Sequence, residues 1–140
     1  MASALRPVFA DTQYWIALLD ANDQWHAQAM AVSSQVTGST VITTDEVLVE
    51  LLNSFSGRGA YLRKVAVNAV FRLRRDPGVR VIEQSRATFD AGLIMYDGRH
   101  DKGYSLVDCI SMNTMRSIGI QKVLTNDQHF AQEGFTVLVR

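Results

Sequence analysis

The sequence alternates short, β-rich apolar runs with helix-like segments along its length. The apolar runs are RPVFA (6–10), TVITT (40–44), VRVIE (79–83), KVLT (122–125) and FTVLV (135–139). Most of these runs are continuously apolar at their centres, which is typical of strands buried on both faces rather than of half-exposed antiparallel strands. Because strands that alternate with helices form parallel sheets covered on both faces, this pattern predicts an α/β fold.

The segments between the runs show helical periodicity. One apolar stripe recurs at i, i+3, i+4, i+7, i+8 and i+11 of a single segment: Leu62, Val65, Ala66, Ala69, Val70 and Leu73. Similar patterns predict helices at about 12–20, 22–36, 45–55, 85–97 and 105–118, and a short helix after Asn126. A chain of 140 residues, 47% of them hydrophobic, suffices for one core. We therefore predict a single domain spanning residues 1–140.

Charge and cysteine content narrow the class of protein. Lys+Arg and Asp+Glu balance at 14 each, so no net charge attracts nucleic acid or a membrane surface. The only cysteine, Cys109, can form no intrachain disulfide, and we expect it to be a small buried hydrophobic residue. No apolar stretch approaches the roughly 20 residues that cross a bilayer. These features favour a cytoplasmic protein without a membrane partner.

Acidic residues follow three of the predicted strands. Asp11 comes directly after PVFA, and Asp127 comes after KVLTN. The run TVITT leads into the helical sequence DEVLVELL, which supplies Asp45, Glu46 and Glu50. A fourth candidate, Asp108, stands three residues after Ser105, a predicted helix N-cap. Binding sites of open parallel sheets lie beyond the carboxyl ends of the strands, so these acids are the first candidates for a functional site.

Each acid also has a structural explanation when it is taken alone. Asp108 with Ser105, and Glu46 with Thr43, fit capping boxes, and Asp127 fits the positive end of a helix dipole. Glu50 lies a full turn inside its helix, where its structural explanation is a solvated face.

Together, the acids point to a cation. Three or four carboxylates in one crevice repel one another unless protons or cations neutralise them. Oxygen ligands without clustered His or Cys select magnesium or manganese, and such ions suit phosphoryl chemistry.

Motifs of other catalytic classes are absent from the sequence. No GxGxxG follows a strand, and there is no Walker lysine loop, GxSxG elbow or HExxH. The three histidines share no metal-binding spacing, and we expect each to be structural or on the surface: His26, His100 and His129. Three aromatic residues of the first two helices are expected in the core, with a dimer or partner groove as the alternative: Tyr14, Trp15 and Trp25.

These residues resemble the PIN-domain nucleases and, within them, the VapC-like toxins of type II toxin–antitoxin pairs. VFADTQYWIALLDANDQWHAQA resembles the opening strand and Asp-Thr helix of the family, and TTDEVLVELLNSF resembles its second block. YSLVDCISMNTM and VLTNDQHFAQEGFTVL resemble its last two blocks, so the resemblance covers nearly the whole chain. It implies a three-layer α/β/α sandwich with a five-stranded, mainly parallel sheet.

The resemblance also implies a magnesium- or manganese-dependent endoribonuclease that hydrolyses RNA phosphodiesters with a metal-activated water. Carried over by position, its catalytic acids are Asp11, Glu50, Asp108 and Asp127. The implied metal ligands among them are Asp11, Asp108 and Asp127. Thr12 and Thr125 would orient carboxylates or waters, and Asp101 would be an additional acid at the rim. Helical spacing does not separate Glu46 from Glu50, whereas the block alignment favours Glu50.

Half of the positive charge lies in residues 58–80, where seven basic residues accompany only Asp76: Arg58, Arg63, Lys64, Arg72, Arg74, Arg75 and Arg80. Four of them are candidates for binding RNA phosphates: Arg58, Arg72, Arg74 and Arg75. A solvated helix face or a surface for an antitoxin are the alternatives.

The resemblance implies further partners, namely a small antitoxin protein and a second copy of the chain in a homodimer. An α/β phosphatase is a distant rival, since no nucleophile block is recognisable, and two nearer rival functions remain open at this point. One is a housekeeping PIN nuclease of ribosomal or transfer RNA maturation, and the other is a non-catalytic binding domain on the same fold.

Overall fold

The computed structural model describes residues 6–140, and in these residues five strands form one sheet. The strands are β1 (Val8–Ala10), β2 (Val41–Thr44), β3 (Val79–Ile82), β4 (Lys122–Leu124) and β5 (Thr136–Val137). Their order across the sheet is β3-β2-β1-β4-β5, and every neighbouring pair is parallel. The predicted α/β class is confirmed, and the sheet is parallel throughout.

Seven helices connect these strands within residues 6–140: α1 (Thr12–Leu19), α2 (His26–Gln35), α3 (Asp45–Phe55), α4 (Ala60–Arg75), α5 (Arg86–Gly98), α6 (Leu106–Ile118) and α7 (Gln128–Gln132). The chain moves from β1 outward to β3, crosses back to β4, and continues outward to β5. Because parallel crossovers are right-handed, this reversal places α1 to α4 on one face of the sheet and α5 to α7 on the other. The result is the predicted three-layer arrangement.

The reversal of direction between β1 and β4 positions the functional site. At such a switch point the connections leave the two strands toward opposite faces, so a crevice opens beyond their carboxyl ends. Asp11 follows β1 directly, and its backbone N–H donates to Leu124 O of β4 at 3.1 Å. The fold therefore brings the end of the first strand to the end of the fourth, although more than 100 residues separate them in the sequence.

The core forms around the central strands. Phe9, Val123 and Leu124 are fully buried, as the continuously apolar runs predicted. Cys109 is also fully buried, which confirms the expectation for the single cysteine. Tyr14 and Trp15 are buried in the core, and Trp25 is partly buried against it. Strand β3 is more exposed than its sequence suggested because it lies at the edge of the sheet.

Two local expectations differ from the structure. The helix expected from residue 22 begins at His26, because Asp20 Oδ1 and Asp23 Oδ1 accept hydrogen bonds from the backbone two residues later, at 2.9 and 2.8 Å. Such side-chain turns compete with the helix.

The expected capping box of Thr43 and Glu46 is also wrong. Thr44 Oγ1 caps α3 by accepting from Val47 N at 3.1 Å, whereas the buried hydroxyl of Thr43 donates to Ala10 O of β1 at 2.9 Å. The cap lies one residue later because the side chain of Thr43 points toward the neighbouring strand.

Helices α5 and α6 approach closely at a glycine. A Cβ atom on Gly92 of α5 would lie 2.5 Å from Ile110 Cγ1 of α6, a distance at which atoms overlap. Gly92 therefore lets the two helices come together. None of the helices formed by the described residues has the length and hydropathy needed to span a bilayer.

Candidate active site

A cleft of about 630 Å³ lies beyond the carboxyl ends of β1 and β4. Its lining residues are mostly polar: Asp11, Thr12, Gln13, Glu50, Asn53, Ser54, Gly103, Ser105, Asp108, Asp127 and His129. The four acids that the family resemblance implied all lie on this one surface. No Lys or Arg belongs to the lining formed by residues 6–140, so the carboxylates have no permanent cation beside them.

Asp11 is the most deeply buried acid of the cleft, with 3% of its surface exposed. Burial raises the pKa of Asp11 to about 7, opposed by the Thr12 backbone and increased further by the nearby charge of Asp108. Thr125 Oγ1 donates to Asp11 Oδ2 at 3.0 Å, and the same hydroxyl accepts from Asp127 N at 3.2 Å. The buried hydroxyl of Thr125 thus connects two of the acids.

Glu50 reaches the cleft from the middle of α3. Thr12 Oγ1, in the first turn of α1, donates to Glu50 Oε1 at 2.6 Å. Burial raises the pKa of Glu50, and the charge of Asp108 raises it further against the lowering effect of the Thr12 hydroxyl. The structure places Glu50 in the cleft and Glu46 in a neighbouring hollow.

Asp108 both caps a helix and lines the cleft. It forms the expected capping box of α6, in which its Oδ2 accepts from Ser105 N and its N–H donates to Ser105 Oγ, both at 3.0 Å. Burial raises the pKa of Asp108, and the charge of Asp127 raises it further, while Ser105 and His129 lower it. The cap fixes the carboxylate at the edge of the cleft, so the structural and functional explanations are compatible.

Asp127 caps the short helix α7 and lies beside His129. Asp127 Oδ1 accepts from His129 N at 2.9 Å. The ring nitrogen Nδ1 of His129 lies 3.4 Å from both Asp108 Oδ2 and Asp127 Oδ1, outside good hydrogen-bond geometry. One ligand atom from each of the three side chains lies within 4.8 Å of the others, so this group has the spacing to hold a metal ion.

His129 also lines the cleft, a position that the sequence did not predict. We expected it to be structural or on the surface because the histidines share no metal-binding spacing. A positional signal was present, since His129 stands two residues after a candidate acid, within the first turn of a helix that begins at the strand end. Its ring packs edge-on against Tyr104, with the centroids 5.2 Å apart.

Asp11 lies in the same cleft but outside this closest group. The sequence-based metal set was Asp11, Asp108 and Asp127, whereas the three side chains that come together most tightly are Asp108, Asp127 and His129. The charges of Asp11 and Asp108 nevertheless interact, because Asp108 raises the pKa of Asp11. All three predicted ligands thus face one space.

The remaining candidate residues lie elsewhere. Asp101 is exposed, does not line the cleft and has its Oδ2 3.9 Å from Lys102 Nζ. Arg58 pairs with Asp20 at 3.0 Å and lies over the Phe55 ring. Three arginines occupy the last turn of α4: Arg72, Arg74 and Arg75. Helix α4 leads into the amino end of β3, whereas the cleft lies beyond the carboxyl ends of the strands.

Comparisons with known proteins agree on one family. The sequence model of the family described as "PIN domain" matches residues 8–135. The 23S rRNA-specific endonuclease VapC20, from two strains of Mycobacterium tuberculosis (CDC 1551 and H37Rv), is 33% identical over 129 residues, which cover 91% of this chain and 95% of the relative.

Two solved structures have the same architecture. The crystal structure of M. tuberculosis VapC20, described as a toxin that cleaves the sarcin–ricin loop, has a TM-score of 0.82 at 28% identity and covers 92% of this chain and 96% of its own. FitAcB from Neisseria gonorrhoeae has a TM-score of 0.66 at 16% identity, covers 94% of this chain and 96% of its own, and supports the fold alone.

Proposed function

This chain belongs to the PIN-domain family, and we propose that it is a metal-dependent endoribonuclease, the toxin of a toxin–antitoxin pair. The observation that carries the proposal is the cleft, where four carboxylates from distant parts of the chain meet without a lysine or arginine among the described lining residues. The relatives support the choice of substrate, because VapC20 is named as an endonuclease of 23S rRNA.

The donor set of the cleft fits Mg²⁺ or Mn²⁺. These hard ions prefer carboxylate and water oxygens, which Asp11, Asp108 and Asp127 supply. The raised pKa values of Asp11 and Asp108 indicate that burial and mutual repulsion destabilise the charged acids, a cost that a divalent cation would offset. When bound, such an ion neutralises the phosphate charge and lowers the pKa of a water molecule.

The protein's own residues orient the reacting groups. Thr125 and Ser105 fix the directions of the Asp11 and Asp108 carboxylates, so little reorganisation is needed when a phosphate arrives. Glu50, held by Thr12, lies outside the closest acidic group. We assign it to orienting the attacking water.

The substitution Asp108→Asn tests this assignment. It removes one negative charge while keeping the shape of the side chain, so we expect cleavage of a labelled single-stranded RNA with Mg²⁺ or Mn²⁺ to fall by about 100-fold or more. Asp97→Asn is the matched control, because Asp97 is exposed on α5 and outside the cleft. Circular dichroism checks that both variants fold. Full activity of Asp108→Asn would remove this acid from the site.

Metal binding gives a test that does not depend on the choice of RNA. We expect isothermal titration calorimetry to detect Mg²⁺ or Mn²⁺ binding to the wild-type chain and to Asp97→Asn, with weaker binding to Asp108→Asn. If the wild-type chain binds neither ion, the rival of a non-catalytic domain on the same fold becomes the better explanation.

The toxin role is separable from the nuclease activity. A toxin should arrest growth when it is expressed alone and should be rescued by a small partner protein, whereas a housekeeping nuclease of ribosomal or transfer RNA maturation needs no such partner. A short reading frame for an antitoxin beside the gene would favour the toxin.

We also propose that the chain forms a homodimer, which light scattering can test. We propose that it resides in the cytoplasm, which cell fractionation can test.

A further inference from the structure

A second hollow, of about 420 Å³, lies between the start of α3 and the start of α5. Its lining residues are Glu46, Gln84, Ser85, Arg86 and Phe89. The hollow is a neighbour of the acidic cleft, because one face of α3 lines both spaces. Glu46 lines the hollow, and the residues four, seven and eight positions later line the cleft: Glu50, Asn53 and Ser54.

The two spaces are close together along α3. Four residues of helix separate Glu46 from Glu50, which corresponds to about 6 Å along the axis of α3 at 1.5 Å per residue. Even at the short rise of about 3.4 Å per nucleotide of a duplex strand, this separation of about 6 Å corresponds to only about two nucleotides. An RNA strand cut in the cleft can therefore reach the hollow within a few nucleotides.

The side chains of the hollow suit a nucleobase. Phe89 is 40% exposed, and the guanidinium carbon of Arg86 lies 5.3 Å from the centre of its ring. No carboxylate of the described residues lies within ion-pair distance of Arg86. An exposed ring and a stacked guanidinium form the kind of platform on which unpaired RNA bases stack.

The polar residues of the hollow favour a base over a phosphate. The Gln84 amide both donates and accepts hydrogen bonds, and the Glu46 carboxylate accepts them, so together they match the edge of a base. The negative charge of Glu46 would repel a backbone phosphate at the same position.

The walls of the hollow are held in place without a ligand. Gln84 N donates to Asp45 Oδ2 at 2.9 Å, which ties the end of β3 to the first residue of α3. The start of α5 is fixed by a capping box between Ser85 and Thr88, with bonds of 3.0 and 3.2 Å. These bonds fix the backbone that carries the side chains of the hollow, and a fixed backbone loses less entropy when a ligand binds.

We propose that this hollow, the base subsite (Glu46, Gln84, Arg86 and Phe89), binds one unpaired base of the RNA within about two nucleotides of the cut phosphate. The inference rests on the proposed nuclease function and deepens it. Stacking on Phe89 and Arg86 holds the base, and Gln84 with Glu46 selects it, so the subsite contributes to the sequence preference of cleavage.

The first arm of the experiment measures binding. A fluorescent 12-nucleotide single-stranded RNA of random sequence is titrated with the Asp108→Asn protein, in Mg²⁺, and followed by anisotropy. Adding Phe89→Ala should weaken binding by about tenfold, and Phe89→Trp should restore it, because the loss and return of one stacked ring are of that size. Arg86→Gln should weaken binding in the same direction.

Tyr96→Ala is the matched control, because Tyr96 is an aromatic residue of α5 that is 50% exposed and does not line the hollow. Unchanged binding by this variant, with weakened binding by Phe89→Ala, supports the subsite. The subsite is overturned if Phe89→Ala binds the RNA as tightly as its parent, or if the parent protein does not bind RNA.

The second arm measures cleavage and separates the two proposals. The wild-type chain, Phe89→Ala and Tyr96→Ala digest a randomised RNA pool, and the new ends are sequenced. A base preference beside the cut that Phe89→Ala loses and Tyr96→Ala keeps supports the subsite. Cleavage with the same preference in all three proteins overturns the subsite and leaves the nuclease function standing. Absence of cleavage by the wild-type chain counts against the nuclease function and against the place of the subsite beside a cut, and the binding arm then decides only whether the hollow binds a base.

Discussion

At the scale of the residue, opposing effects act on the protonation of Asp11. Its carboxylate is almost fully buried, yet it is held by the Thr125 hydroxyl and lies near the charges of Asp108 and Glu50. Burial and like charges favour the protonated acid, whereas the hydrogen bonds favour the carboxylate. Burial dominates, because the pKa of Asp11 is about 7 instead of its ordinary 3.8.

This raised pKa predicts how stability depends on pH when no metal is present. Between pH 4 and 7 the folded chain holds a proton on Asp11 that the unfolded chain has lost. The resulting stabilisation is complete below about pH 4 and is lost as the pH rises through 7. We expect urea unfolding in EDTA to show a smaller free energy of unfolding at pH 8 than at pH 5, by an amount on the order of 1 kcal/mol or more.

Substitution of the acid identifies the source of this pH dependence. Asp11→Asn should reduce the difference in the free energy of unfolding between pH 5 and pH 8, and the surface variant Asp97→Asn should retain this difference. Part of the slope should remain in Asp11→Asn, because the pKa values of Glu50 and Asp108 are raised in the same direction. An unaltered slope in Asp11→Asn would show that other groups are responsible.

At the scale of the element, the pairing of α5 with α6 connects core packing to the site. Gly92 of α5 lies against Ile110 of α6, two residues after Asp108, so the contact supports the turn that carries this acid. The same helix α5 carries Phe89 of the base subsite one turn before the glycine. Displacing α5 from α6 would therefore disturb both the cleft and the subsite.

Two alanine substitutions in α5 measure this contact. Gly92→Ala places a methyl group 2.5 Å from Ile110 Cγ1, and we expect it to destabilise the chain by about 1 to 3 kcal/mol despite the better helix propensity of alanine. Gly98→Ala is the control, since nothing lies within 4 Å of its Cβ, and it should be neutral or stabilising by up to about 1 kcal/mol. Thermal unfolding compares them. Equal stability of the two variants would mean that α5 and α6 adjust without cost.

At the scale of the whole molecule, the acidic cleft and a group of basic residues lie at opposite ends of the strands. The acidic cleft is at the carboxyl ends of the strands, and three arginines of α4 are near the amino end of β3: Arg72, Arg74 and Arg75. A four-residue strand such as β3 is about 13 Å long, which exceeds the roughly 8 Å screening length of physiological salt. We therefore expect the field of these arginines to be largely screened at the cleft at this salt concentration.

This separation predicts a weak effect of charge reversal at the end of α4. We expect the triple change of Arg72, Arg74 and Arg75 to Glu to alter RNA affinity at 150 mM salt by less than about threefold and to leave the salt dependence nearly unchanged. The single change Arg86→Glu, in the hollow next to the cleft, should weaken binding more. A large loss of affinity in the triple variant would show that these arginines grip RNA, as the charge distribution in the sequence suggested.

The features that the sequence determined are those set by near neighbours in the chain. The continuous apolar runs and the helical stripes follow from the repeat of each backbone conformation, so they predicted the α/β class and most helices without knowledge of any contact. The capping box of Ser105 and Asp108 was predictable for the same reason, since both partners lie within one turn. The positions of the candidate acids after apolar runs were likewise visible in the sequence.

Other features depended on which strands became neighbours. The strands lie in the order β3-β2-β1-β4-β5, which is set by which strands pair with each other. That order places β3 at an edge of the sheet, where it is more exposed. It also brings Thr125 to Asp11 and His129 to Asp108. Because these contacts form between residues far apart in sequence, no local pattern encodes them, and only the tertiary structure decided them.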